Sequence, residues 1–184
     1  MAIWPLSFTI GSNASLPDFQ KELINNIDTV SDFLKSHGLS ENDFTVQAPN
    51  ITDTSFGTYG YDKPKYRYIA KQQILIRSKN VKAVKTAQEH SLDLTTSNIA
   101  LNQDYDAQIV YEFTDLNSIK PEMIGEATKN ARAAAEKFAS DSGSSVGKIR
   151  TASQGYFSIE NAAIGLEEKK KVRVVTYLTY YLDN

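Results

Sequence analysis

The stretch Ile119–Gly143, IKPEMIGEATKNARAAAEKFASDSG, reads as one long alanine-rich helix closed by a glycine. Two strand-like segments follow it: Val146–Ile159, VGKIRTASQGYFSI, and Lys170–Leu182, KKVRVVTYLTYYL. Ile119, Met123, Ala127, Ala131, Ala134, Ala135 and Phe138 recur at steps of three and four, the spacing of one helix face. Lys120, Glu122, Glu126, Lys129, Arg132, Glu136 and Lys137 lie largely off that stripe. Small side chains in the stripe let the helix backbone approach a sheet whose Tyr, Phe and Val fill the gap. Gly143 tolerates a positive φ where the helix must stop. An amphipathic helix packed on an antiparallel hairpin is therefore the expected unit.

Upstream, Ala2, Trp4, Leu6, Phe8 and Ile10 alternate with Ile3, Pro5, Ser7 and Thr9, which predicts a half-buried strand. Pro5 favours an edge or a bulge there. Ser15 followed by Asp18 is a helix-start signal of the capping-box type. Phe19, Leu23, Ile27, Val30 and Leu34 form a stripe that ends at Gly38, with Leu39 placed to close the helix. Phe44–Ile51 and Tyr66–Ile76 read as strands around a loop, DTSFGTYGYDKPK, rich in Gly, Tyr and charge. Asn80 can cap a helix over roughly Val81–Leu92, with Val81, Val84, Ala87 and Leu92 as its stripe. Ala107, Ile109, Tyr111 and Phe113 predict another strand. The order is β-α-β-β twice, compatible with one domain over residues 1–184 whose pseudo-repeat halves, 1–78 and 99–184, are joined by a helix at about 80–94. Antiparallel strands with helices packed on one face make the expected class α+β.

The order and spacing of several weak motifs add to this. Arg132 with Ala133–Ala135, then Gly143, Gly147-Lys148-Ile149, Gln154-Gly155-Tyr156-Phe157 and Lys171-Val172-Arg173-Val174 together resemble the C-terminal half of the SIMPL family. The resemblance extends upstream through SHGLSENDF and YRYIAKQQILIRS, so it covers nearly the whole chain. These are packing motifs, not catalytic ones. Because bacterial members of that family are mostly cell-envelope proteins, the resemblance implies a periplasmic or outer-envelope address. It also implies an export signal preceding Met1 and a structural or stress-protective role.

Composition narrows the chemistry. The chain has 184 residues, 41% of them hydrophobic and 23% charged, which suits a folded core. A formal charge of −2, with the basic residues dispersed, gives no general attraction to phosphate backbones, so no nucleic-acid partner is expected. The absence of cysteine excludes disulfides and Cys-ligated zinc or iron–sulfur sites. No run approaches the ~18 apolar residues of a membrane helix.

Gly143-Ser144-Ser145-Val146-Gly147 fits the G-x-S-x-G of a nucleophile elbow, yet the elbow needs a strand before the serine and a helix after it. Here the order is reversed, and both histidines, His37 and His90, lie upstream. Each histidine falls near a predicted helix end, a position that favours a cation, without ligands at metal spacing. Asn102, Asp104 and Asp106 begin like a calcium loop, but Ala107 and Phe113 stand where glycine and glutamate are required. No catalytic residue, metal or cofactor is therefore expected, and a hydrolase would need acid and base groups that no motif supplies.

The aromatic loop is the one candidate site. Phe56, Tyr59 and Tyr61, near Tyr66 and Tyr68, supply large contact area with polar ends, which suits an interface. The alternative is that these rings fold back on their own hairpin. The functional expectation is a non-enzymatic protein acting through self-assembly, as a homo-oligomer, or through partner contacts. The second expectation is a binding module for a small ligand, peptide or cell-wall fragment.

Overall fold

The computed structural model describes residues 1–57, 64–103 and 107–183. The fold is α+β with antiparallel sheets. It comprises two compact units, Met1–Glu112 and Phe113–Asn184.

In the first unit, β1 (Ala2–Ser12) and β4 (Tyr68–Ser78) pair antiparallel along their whole length, from Ala2 opposite Ser78 to Ser12 opposite Tyr68. The alternation read from the sequence sets the buried face: Ala2, Trp4, Leu6 and Phe8 from β1 meet Ala70, Ile74 and Ile76 from β4 in the core. Two helices complete that core. The first, α1 (Leu16–Ser36), buries Phe19, Leu23, Val30 and Leu34, and Phe19 stacks on Tyr68 at 5.8 Å between ring centroids. Its start is the expected one, with the Ser15 hydroxyl accepting from the Asp18 N–H and donating to the Asp18 carboxylate at 2.6 Å. Its end is likewise as read: Gly38 takes φ +87°, and the Leu39 N–H donates to the Leu34 carbonyl while its side chain is buried.

The second helix, α2 (Val81–Glu89), is capped by Asn80, whose side chain accepts from the Ala83 N–H. It stops short of the expected Leu92. His90 ends it, and a 3₁₀ segment, Ser91–Ser97, turns the chain so that Leu94 is buried while Leu92 is exposed.

The strand predicted over Phe44–Ile51 is broken into β2 (Phe44–Val46) and β3 (Asn50–Asp53), both paired with β4. Pro49, without an N–H to give a ladder, lies in the gap. The buried Gln72 amide patches it, donating to the Gln47 carbonyl at 2.7 Å. The strand predicted over Ala107–Phe113 contributes only β5 (Val110–Tyr111), paired with Ala2 and Ile3. Leu101 bridges to Phe8, so Pro5 falls between the two points where the second edge of β1 is paired.

The second unit holds α3 (Leu116–Asp141), β6 (Ser145–Asn161) and β7 (Lys170–Asp183), with the strands forming a long hairpin. The helix stripe is real, and beyond Ala131 it follows steps of four. Ile119, Met123, Ala127, Ala131 and Ala135 are half-buried and Ala139 is buried. Ala134 and Phe138, expected in the stripe, are exposed.

Two outcomes follow from this packing. Ala131→Leu should overpack the helix–sheet contact and cost about 1–3 kcal/mol, whereas Ala134→Leu should leave thermal stability unchanged; denaturant unfolding of both variants separates them. Asp43 accepts from the Ser40 hydroxyl and N–H and from Ser78, and these bonds hold its carboxyl below the usual aspartate range. It therefore adds stability above the unfolded aspartate pKa, about 3.9, and loses it as pH falls through the depressed folded value. The melting-temperature gap between the wild type and Asp43→Asn should be widest near neutrality and close in acid.

Candidate functional site

The residues of the aromatic loop divide between surface and core. Phe56, at the end of a 3₁₀ turn over Thr54–Phe56, is 88% exposed. That turn is held by Asp53, which accepts from the Ser55 N–H and hydroxyl and reaches Arg67 at 3.4 Å. The Ser55 bonds, with a smaller contribution from Arg67, keep the Asp53 carboxyl below its ordinary range. Tyr68 belongs to the core and Tyr66 packs over Gly11, where a Cβ would come within 2.4 Å of its ring. Tyr59 and Tyr61 lie outside the described residues.

The other sequence candidates resolve individually. Gly143 takes φ +74° after α3, and Ser145 opens β6 with its hydroxyl donating to the Asp183 carbonyl at 3.0 Å. The order is helix, turn, strand, the reverse of a nucleophile elbow. Asn102 bonds Ser7 and Thr9, while Asp104 and Asp106 lie outside the described residues. His37 and His90 end α1 and α2 as read, but the structure also brings them together, with ring centroids 5.3 Å apart. Each Nδ1 lies within hydrogen-bond distance of a carbonyl one turn back, Phe33 at 2.8 Å and Thr86 at 2.9 Å. This pairing is a tertiary contact that no local signal announces. Among the described residues, no group of three or more His, Asp or Glu is arranged to hold a metal ion, and no helix is long and apolar enough to cross a membrane.

The surface that sequence reasoning did not single out is the hairpin of the second unit. Burial alternates along β7. Val172, Val174, Thr176, Leu178 and Tyr180 are half-buried, and Lys171, Arg173, Tyr177, Thr179 and Tyr181 are exposed, with Val175, also half-buried, the one departure. The register puts Phe157 opposite Val174 and Ile159 opposite Val172 on the same face, where Phe157 is half-buried and Ile159 is exposed. Cations from α3 lie over two rings of that face, Lys120 over Phe157 and Arg132 over Tyr180. On the opposite face Tyr177 lies across Gly155, and Arg150 stands over the Tyr181 ring at 5.9 Å. Tyr156, at the β6 bulge beside them, is 95% exposed.

A groove of about 670 Å³ runs between α3 and β7. Its helix wall includes Glu122, Met123, Ala127 and Ala131, and its strand wall is the continuous run Val172–Thr176. Consecutive strand residues point to opposite faces, so a wall of consecutive residues is the edge of the strand, not one face of it. The Thr176 hydroxyl in this wall is buried without a hydrogen-bond partner, as is that of Tyr180.

Set beside known proteins, the chain matches a family model over residues 1–180; the model is described as SIMPL, protein of unknown function (DUF541). No curated protein matches it.

The aromatic face has a built-in steric test. A Cβ at Gly155 would come 2.9 Å from the Val175 carbonyl oxygen and 3.2 Å from Tyr177 Cε2. Gly155→Ala should therefore displace the Tyr177 ring and cost about 1–3 kcal/mol, read as a lower denaturation midpoint with altered tyrosine fluorescence.

Proposed function

The chain belongs to the SIMPL family, and from that premise we propose that it is a non-enzymatic cell-envelope protein working through self-assembly. The observation that carries this reading is the hairpin unit. Its one buried residue among those described is Ala139, while Ile149, Tyr156, Tyr177, Tyr181 and Leu182 remain open. A two-stranded sheet is marginal alone, and exposed apolar side chains on both of its faces leave it open to a partner. The Phe56 loop is a second contact surface under this proposal. A protective role in the envelope rests on the family resemblance, and a cysteine-free chain is compatible with an oxidising compartment. Fractionation of cells expressing the native gene tests that address; a cytosolic pool overturns it.

The α3–β7 groove favours the second reading, a module for a small ligand, peptide or cell-wall fragment. The two readings separate in solution. Self-assembly requires a sedimentation mass at micromolar concentration that is a multiple of the 20.5 kDa chain. Deletion of residues 55–64 should reduce that mass without unfolding the N-terminal core. A monomeric mass, together with ligand-dependent thermal stabilisation, would replace the first reading by the second.

A further inference from the structure

We propose that a second copy of this chain pairs along the outer edge of β7, antiparallel and two-fold symmetric about Tyr177, so that two hairpins become one sheet. The inference rests on the self-assembly reading and names its interface.

The choice of edge comes from regularity. Every register shift in the hairpin inserts its extra residue on β6, at Val146/Ile149, Ile149/Thr151 and Gln154/Phe157. Bulges twist an edge and break its ladder, which blunts β6 as a template. β7 runs from Lys170 to Asp183 without an inserted residue, and β6 is its sole strand partner among the described residues. Its outer N–H and C=O groups form the regular row that another strand can read.

The choice of partner comes from the sequence of β7 read against itself. With Tyr177 opposite its own copy, Lys171 falls opposite Asp183 and Arg173 opposite Tyr181 on the exposed face. On the helix side, Val172 falls opposite Leu182 and Val174 opposite Tyr180. Opposite charges thus meet at both ends, a cation meets an aromatic ring beside each, and apolar residues meet between them. None of Lys171, Arg173 and Asp183 has an ion-pair partner within 4.0 Å among the described residues. The same register delivers Leu182 of the second copy, a residue 63% exposed in the single chain, to the strand wall of the groove.

The chain contains no cysteine, so single introduced thiols report the register directly. Directly opposed antiparallel residues have Cα atoms about 4.5–5.5 Å apart, within the span of a disulfide. Mild oxidation should convert most of Tyr177→Cys to a covalent dimer, while Thr179→Cys, opposed to Val175, stays unlinked. Asp183→Lys, which sets lysine against Lys171 at both ends, should weaken association about tenfold. Adding Lys171→Asp to it should restore association. Linking at Thr179→Cys with Tyr177→Cys unlinked overturns the register, as does a loss at Asp183→Lys that the second change fails to relieve. A stable oligomer in which no β7 cysteine links overturns this interface and leaves self-assembly standing. A peptide or other protein protecting β7 in a monomer overturns both.

Discussion

The full-length antiparallel ladder between β1 and β4 is the constraint from which the first unit follows. Because side chains alternate with period two, the pairing of Ala2 with Ser78 commits Trp4, Leu6 and Phe8 to one face together with Ile76, Ile74 and Ala70. A slip by one residue would turn Ile3, Pro5 and Ser7 inward and expose the tryptophan. The helices add to a face already chosen. Phe19 reaches Tyr68 at one end of β4, and Val84 and Ala87 fill in as the chain leaves its other end. Even the buried Gln72 is explained by the ladder. It lies on the core face of β4, where β2 gives way to β3, and its amide replaces a bond that the Pro49 break removes.

The second unit is held together differently. Its hairpin is long, but α3 covers only one face, and most of its apolar side chains are half-buried at best. Cation–π contacts from Lys120 and Arg132 and the close fit of Tyr177 over Gly155 take the place of a closed core. Such contacts contribute about 0.5–1 kcal/mol each where exposed, less than a buried leucine contributes by transfer alone. A unit of this kind gains most from whatever closes its open surface.

Much of this was legible in the sequence where the rule is local. The alternation of β1, the Ser15 and Asn80 caps and the Gly38–Leu39 closure depend on residues within one turn or one strand of each other. The misses are tertiary or cumulative. From Ala131 the helix stripe could run through Ala134 and Phe138 or through Ala135 and Ala139, and the sequence permits both. The hairpin beneath α3 selects the steady four-residue row, as inclined helix ridges do when they lie on a twisted sheet. Pro49 was a visible break signal inside the strand predicted over Phe44–Ile51. The His37–His90 contact was not visible, because it exists only once α1 and α2 pack on the same sheet. The candidate site divided likewise: the sequence left open whether the loop rings face outward or fold back, and Phe56 is exposed whereas Tyr68 is part of the core.

The two units treat their sheet edges differently. In the first unit, one edge is the β2–β3 pair interrupted at Pro49, and the other is met only by the two-residue β5 and the Leu101 bridge. Short, broken strands and proline are the usual means of keeping an edge from recruiting a neighbour. β6 is blunted by its bulges. β7 carries none of these devices: it is long, regular, free of proline and glycine, and rich in Val, Thr and Tyr. Its charges sit at positions that repel an arbitrary hydrophobic strand yet match the same strand reversed, Lys171 and Arg173 at one end and Asp183 at the other. Protection would place like charges along the edge, whereas opposite charges at opposite ends specify an antiparallel partner. Under the proposed pairing, an edge left open with that polarity selects its own sequence.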